Sequence, residues 1–183
     1  MSTLPVGVVA PTAIASDLNG TLYVVDGSGL EKVTPDGVIA TLHSPLLDTV
    51  RAIALTTDAQ GNVYVFGNTG TGWRVLQISP DGGTKTVVTA PAFQSPGCWG
   101  GAIARDADGT LYSATPRDAS AACVARISPD GVGVKIAGTS ALPSGTLLGP
   151  LPGGLDYAAQ IAFLGPRRIA LLRPGGVIEI VLP

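Results

Sequence analysis

Charge is what this chain has least of. Only 13% of its 183 residues are Asp, Glu, Lys or Arg, against roughly 25% in an ordinary soluble domain. The net charge is −2, and the few Lys and Arg are scattered, whereas nucleic-acid binders gather them into a basic stripe. No nucleic-acid partner is expected. There is one histidine, His43, and there are two glutamates, Glu31 and Glu179, too few ligands at a recognisable spacing for a metal site. No apolar run reaches the roughly 18 residues of a membrane helix, and Met1-Ser2-Thr3-Leu4-Pro5 lacks the basic start and apolar core of a signal peptide. The expectation is a soluble protein with no membrane partner and no cofactor. The two cysteines, Cys98 and Cys123, bracket one segment of the chain. They admit a disulfide or two buried thiols, and two cysteines alone define no compartment.

What the chain has in quantity is turn chemistry. It carries 25 glycines and 15 prolines, together 40 of 183 residues, alongside 45% apolar residues. A disordered Gly/Pro-rich chain would not distribute its apolar residues as short strands. Many tight turns between apolar strands give this profile, in a chain long enough for one domain with a real core.

The segment from Pro11 to Leu42 shows the plan. An apolar run, Thr12 to Ala15, is stopped by Asp17-Leu18-Asn19-Gly20, whose glycine can adopt the left-handed conformation that closes a hairpin. The β-branched and aromatic strand Thr21 to Val25 follows, broken by Asp26-Gly27-Ser28-Gly29. A third, alternating strand, Leu30 to Thr34, ends in Pro35-Asp36-Gly37, where proline presets φ for a type I turn and glycine takes the positive φ after it. Val38 to His43 is the fourth strand. A four-stranded antiparallel sheet of this size cannot cover both its faces, so it must stack on copies of itself.

Copies are present. Ala-Ile-Ala recurs at 13, 52 and 102, and Pro-Asp-Gly at 35, 80 and 129, in matched order. The expected architecture is all-β: a single small β-propeller domain over 1–183 with four antiparallel blades, at 11–43, 50–89, 99–138 and 158–183. The last unit is one strand short. The orphan apolar segment at 5–10 is expected to complete it, locking the two ends together and removing exposed sheet edges.

Pro11, Ala13-Ile14-Ala15, Asp17, Gly20, Leu22-Tyr23-Val24, Asp26 and Thr34-Pro35-Asp36-Gly37 together resemble the NHL repeat, with a looser relation to the lactonase-like propellers. The resemblance covers about three quarters of the chain. It implies four-stranded blades around a central channel lined by the first strands, and a role in binding partners. Such proteins usually carry six blades. Four blades imply either a rare four-bladed ring within one chain or a larger ring made by two chains. Some relatives are hydrolases or lyases with a divalent metal in the channel. Here the matching segments read Ala-Ile-Ala, which cannot coordinate a cation.

Asp106-Ala107-Asp108-Gly109 has the look of a calcium loop. Its sister turns at Asp17 and Asp58 lack the second carboxylate, so a hairpin turn stabilised by the aspartate is the better account. No Gly-x-Ser-x-Gly elbow accompanies Ser, His43 and Asp, which speaks against a catalytic triad. The loops joining successive blades, and second to third strands, vary in length while the opposite turns stay short. They gather Asp48, Arg51, Trp73, Phe93, Trp99, Arg117, Asp118, Asp156 and Tyr157, with His43 at a strand end. Variable loops on a rigid scaffold commonly carry binding, and exposed Trp, Tyr and Arg anchor interfaces. The expected function is therefore a non-enzymatic interaction or assembly module for a protein or glycan partner. The alternatives are a metal-assisted hydrolase of lactonase type and a structural component of a larger particle such as a phage tail.

Overall fold

The computed structural model describes residues 10–26, 29–89, 101–115, 122–128, 133–138, 155, 160–173 and 175–182. Contacts divide the chain into two compact units, Met1–Val87 and Val88–Pro183. No α-helix occurs among the described residues; one 3-10 turn, Leu47–Thr49, is the single helical element.

In the first unit β1 (Ala13–Ser16), β2 (Leu22–Asp26), β3 (Gly29–Val33) and β4 (Ile39–Leu42) form one antiparallel sheet in chain order. The next sheet is β5 (Arg51–Thr57), β6 (Val63–Asn68), β7 (Trp73–Ile78) and β8 (Thr84–Thr89). Tyr23, Val25 and Leu30 from the first pack with Leu55, Val65 and Leu76 from the second. Leu30 and Leu76 are wholly buried, each worth about 2 kcal/mol over its exposed state.

The second unit repeats the plan with β9 (Ala102–Arg105), β10 (Leu111–Thr115), β11 (Cys123–Ile127) and β12 (Gly133–Ala137). Its other sheet has three strands, β13 (Gln160–Gly165), β14 (Arg168–Arg173) and β15 (Gly176–Val181). Ala102, Ala104, Tyr112 and Val124 pack here with Ile161, Ile169, Leu171 and Ile180. The segment expected to complete this sheet, residues 5–10, lies outside the described residues except for Ala10.

The repeated triplets serve packing. Ala13 and Ala15 contact the core of the first unit while Ile14 stays 64% exposed. Ala102 and Ala104 occupy the corresponding place in the second. Alternation along a strand sends the alanines to one face and the isoleucine to the other, and alanine lets neighbouring first strands approach closely.

The turns are built as their residues dictate. Asp17 Oδ1 accepts the backbone N–H groups of Asn19 and Thr21, both at 2.9 Å. Asp58 Oδ1 accepts those of Gln60 at 3.0 Å and Asn62 at 2.9 Å, and Asp106 Oδ1 those of Asp108 at 3.0 Å and Thr110 at 2.8 Å. The same two bonds recur whether or not a second carboxylate is present, which assigns these aspartates to turn formation. The glycines that end the three turns have φ of +78 to +93°, a region open to glycine at little cost.

Candidate functional site

The connection from β4 to β5 is short and tightly made. Asp48 N–H donates to Ser44 O at 3.0 Å and Val50 N–H to Leu47 O at 2.9 Å, winding the 3-10 turn. Leu47 and Val50 are buried, 6% and 8% exposed, and act as anchors. Asp48 lies between them and is exposed, as is Arg51 at the start of β5.

Strand register carries this site further. Arg51 pairs with Asn68 of β6, and Asn68 pairs with Trp73 of β7. One cross-strand row at the end of this sheet therefore holds Arg51, Asn68 and Trp73. A bulge between Ala52 and Ala54 sets the row, and Gly67 makes it possible: a Cβ there would collide with Arg51 O and Val50 Cγ1. The Asn68–Trp73 loop is closed by Thr69 N–H donating to Gly72 O at 2.8 Å and Gly70 N–H to Asn68 Oδ1 at 2.6 Å. The Trp73 ring stacks on Phe66, with centroids 5.4 Å apart and planes 4° from parallel. One face of the indole is thus used for packing, and the side chain is half-buried.

Beside this row the first unit holds a groove of about 560 Å³. Val25, Leu30, Leu42 and Leu47 give it an apolar lining, and Thr12, Asp26, His43, Asp48 and Arg51 a polar one. Asp26 is 9% exposed and its Oδ1 accepts the Gly29 N–H at 3.1 Å. An apolar floor beneath a rim of mixed charge suits a surface that recognises polar groups on a partner. No group of three or more His, Cys, Asp or Glu among the described residues is placed to hold a metal ion.

Asp48, Arg51 and His43 thus line one groove, and strand register puts Trp73 in the same cross-strand row as Arg51. Phe93, Trp99, Arg117, Asp118, Asp156 and Tyr157 lie outside the described residues. Cys123, 4% exposed at the start of β11, is disulfide-bonded; Cys98 lies outside the described residues. Sequence reasoning passed over Asp26 and Asn68. Asp26 sits in what reads as an ordinary turn, and Asn68 becomes a neighbour of Arg51 only through strand pairing.

No protein-family model matches the chain, and no curated protein matches it. Solved structures do. It superposes on a streptogramin B lyase structure with a TM-score of 0.60 at 18% identity, over 98% of this chain and 57% of that one. For the nidogen/laminin complex the TM-score is 0.67 at 16% identity, over 96% and 61%. For a gluconolactonase from Xanthomonas campestris it is 0.55 at 15% identity, over 94% and 62%. The fold is that of a β-propeller. The chain spans about three fifths of the length of these three neighbours. Two of these neighbours are named as enzymes and one as a protein complex, so the propeller likeness selects no activity, as expected where many functions share one scaffold.

Proposed function

We propose that this propeller is a non-enzymatic interaction module that contacts a protein partner through the connections β4–β5 and β6–β7. The observation that carries the proposal is the cross-strand row Arg51, Asn68 and Trp73 beside the exposed Asp48. It joins an aromatic ring, a guanidinium and a carboxylate on rigid backbone, the kind of group on which interface energy concentrates. The nidogen/laminin structure supports it as a propeller-like neighbour solved in a protein complex. On sequence grounds the proposal extends to Phe93, Trp99, Arg117, Asp118, Asp156 and Tyr157.

Quantitative affinity enrichment from an extract of the source cells, with purified partners then titrated by calorimetry, tests it. A genuine partner is retained by the wild type and by Lys85→Gln on β8. It is lost on Asp48→Lys with Arg51→Glu, and weakened by Trp99→Ala with Arg117→Ala. Identical retention by all four proteins would overturn the proposal. So would a stoichiometric divalent ion found by elemental analysis, which would favour the lactone hydrolase, or sole binding of an oligosaccharide on a glycan array. Light scattering separates one chain from paired chains and from larger assembly.

A further inference from the structure

The second unit contains a cavity of about 720 Å³ between its two sheets, within the range typical of small-molecule sites. It is distinct from the groove of the proposed partner surface and does not depend on that proposal. Its apolar part is aromatic: the Tyr112 and Phe163 rings meet edge to face, with centroids 5.0 Å apart and planes 72° from parallel, flanked by Ile136 and Leu182.

Its rim is cationic, with Arg105, Arg126 and Arg167 all lining it. Arg126 lies directly opposite Tyr112 in the β10–β11 pairing, exposed on a strand whose other residues are all buried. Arg167 occupies the β13–β14 turn at φ +60°, a conformation costing a residue with a Cβ about 1–2 kcal/mol. There its Nε–H donates to Leu182 O at 3.1 Å, and its own carbonyl accepts the Leu182 N–H at 2.7 Å. This clamp holds the side chain by Nε and leaves its Nη groups without an acceptor among the described residues. The two aspartates of the cavity, Asp106 and Asp108, offset two of its three arginines and leave a formal charge of +1. Asp106 is engaged through Oδ1 with two backbone N–H groups and through Oδ2 with the Tyr112 hydroxyl at 3.5 Å. The charge left over is positive.

We propose that this cavity binds a small organic carboxylate with an apolar body, the body against Tyr112 and Phe163 and the carboxylate taken by Arg126 and Arg167. Guanidinium is the side-chain group best matched to a planar carboxylate, through paired N–H donors. An aromatic floor without such donors would hold neutral apolar molecules equally well.

Titration of the full chain with naphthoate, by calorimetry and by following its aromatic proton resonances, tests the assignment. Saturable binding with a Kd below about 1 mM is expected, and naphthamide, alike in shape but uncharged, should bind at least about tenfold more weakly. Arg126→Gln, at an exposed position that leaves the core intact, should weaken naphthoate about tenfold and leave naphthamide unchanged. Arg126→Lys should fall between, and Lys85→Gln should match the wild type. Absence of saturable binding, equal affinity for acid and amide, or no effect of Arg126→Gln in a protein with unchanged melting would each overturn the proposal. Competition by inorganic phosphate at the affinity of naphthoate would overturn it too, because the apolar body would then contribute nothing.

Discussion

The Tyr64 hydroxyl donates to Asp58 Oδ2 at 3.1 Å, tying the second strand of a blade to the turn that begins it. The same spacing recurs as Asp106 with Tyr112, at a longer 3.5 Å, and as Asp17 with Tyr23, where the aspartate acts on the phenol through its charge. A bond from a buried hydroxyl to a carboxylate is among the stronger side-chain bonds in a fold. Tyr64→Phe should therefore cost about 1–2 kcal/mol, and Tyr112→Phe less, because its bond is at the limit of useful length. Asp58→Ala, which also strips the acceptor from two backbone N–H groups, should cost about 3 kcal/mol. Urea unfolding checks the order; equal losses for both tyrosines would show that ring packing and not the hydroxyl sets the cost.

Alkaline pH should destabilise the protein through Tyr23 and Tyr112. Burial, reinforced by Asp17 and Asp106 respectively, raises the Tyr23 and Tyr112 hydroxyls above their ordinary value of 10.0. The folded state then holds these protons more tightly than the unfolded chain. Their contribution is complete below pH 10 and is lost as pH climbs through the folded values. The melting temperature should fall above pH 10, and tyrosinate absorption should show the Tyr23 and Tyr112 phenols ionising late. Tyr112→Phe should make the decline shallower; an unchanged slope in Tyr23→Phe and Tyr112→Phe together would contradict the assignment.

Gly67→Ala should lower stability by more than about 2 kcal/mol, because the clash is with the Arg51 carbonyl and Val50 rather than with the tip of a flexible side chain. Relief requires moving the start of β5, so the variant should also perturb the Arg51 and Asn68 amide resonances more than those of β8. Gly70→Ala is the contrast: its Cβ meets nothing within 4 Å, and only the positive φ of 84° is penalised, by about 1 kcal/mol.

Cys123 is disulfide-bonded, and the sequence supplies one other cysteine, Cys98. Peptide mapping without reductant should recover the two in one linked fragment from a single chain. Closing a loop of about 25 residues restricts the unfolded ensemble by about 3 kcal/mol, so reduction should lower the melting temperature by several degrees. A cross-chain Cys123–Cys123 product would be the contrary result.

Local chemistry made much of this fold legible. Asp17, Asp58 and Asp106, each followed three residues on by glycine, announce their turns because the bonds that form them span two and four residues. Strand bounds moved slightly: the expected Thr12–Ala15 is Ala13–Ser16. Asp48 and Arg51, which flank a short connection between sheets, both line the groove of the first unit. The arginine-rimmed cavity was not legible. Arg105 ends β9, Arg126 lies within β11 and Arg167 sits in the β13–β14 turn, and nothing in their sequence neighbourhoods relates them. The Trp73–Phe66 stack was likewise hidden, since it depends on the β6–β7 register.

The aspartate-centred turns bear on kinetics as well as on stability. Their contacts join residues so near in the chain that ring closure is almost free, so the first hairpin of a blade can form within microseconds and independently of its neighbours. The slow step is then the mating of preformed sheets, Leu30 finding Leu76 and Ala104 finding Ile161, across long intervals of sequence. Substituting the turn aspartates and trimming those core side chains should therefore both retard refolding.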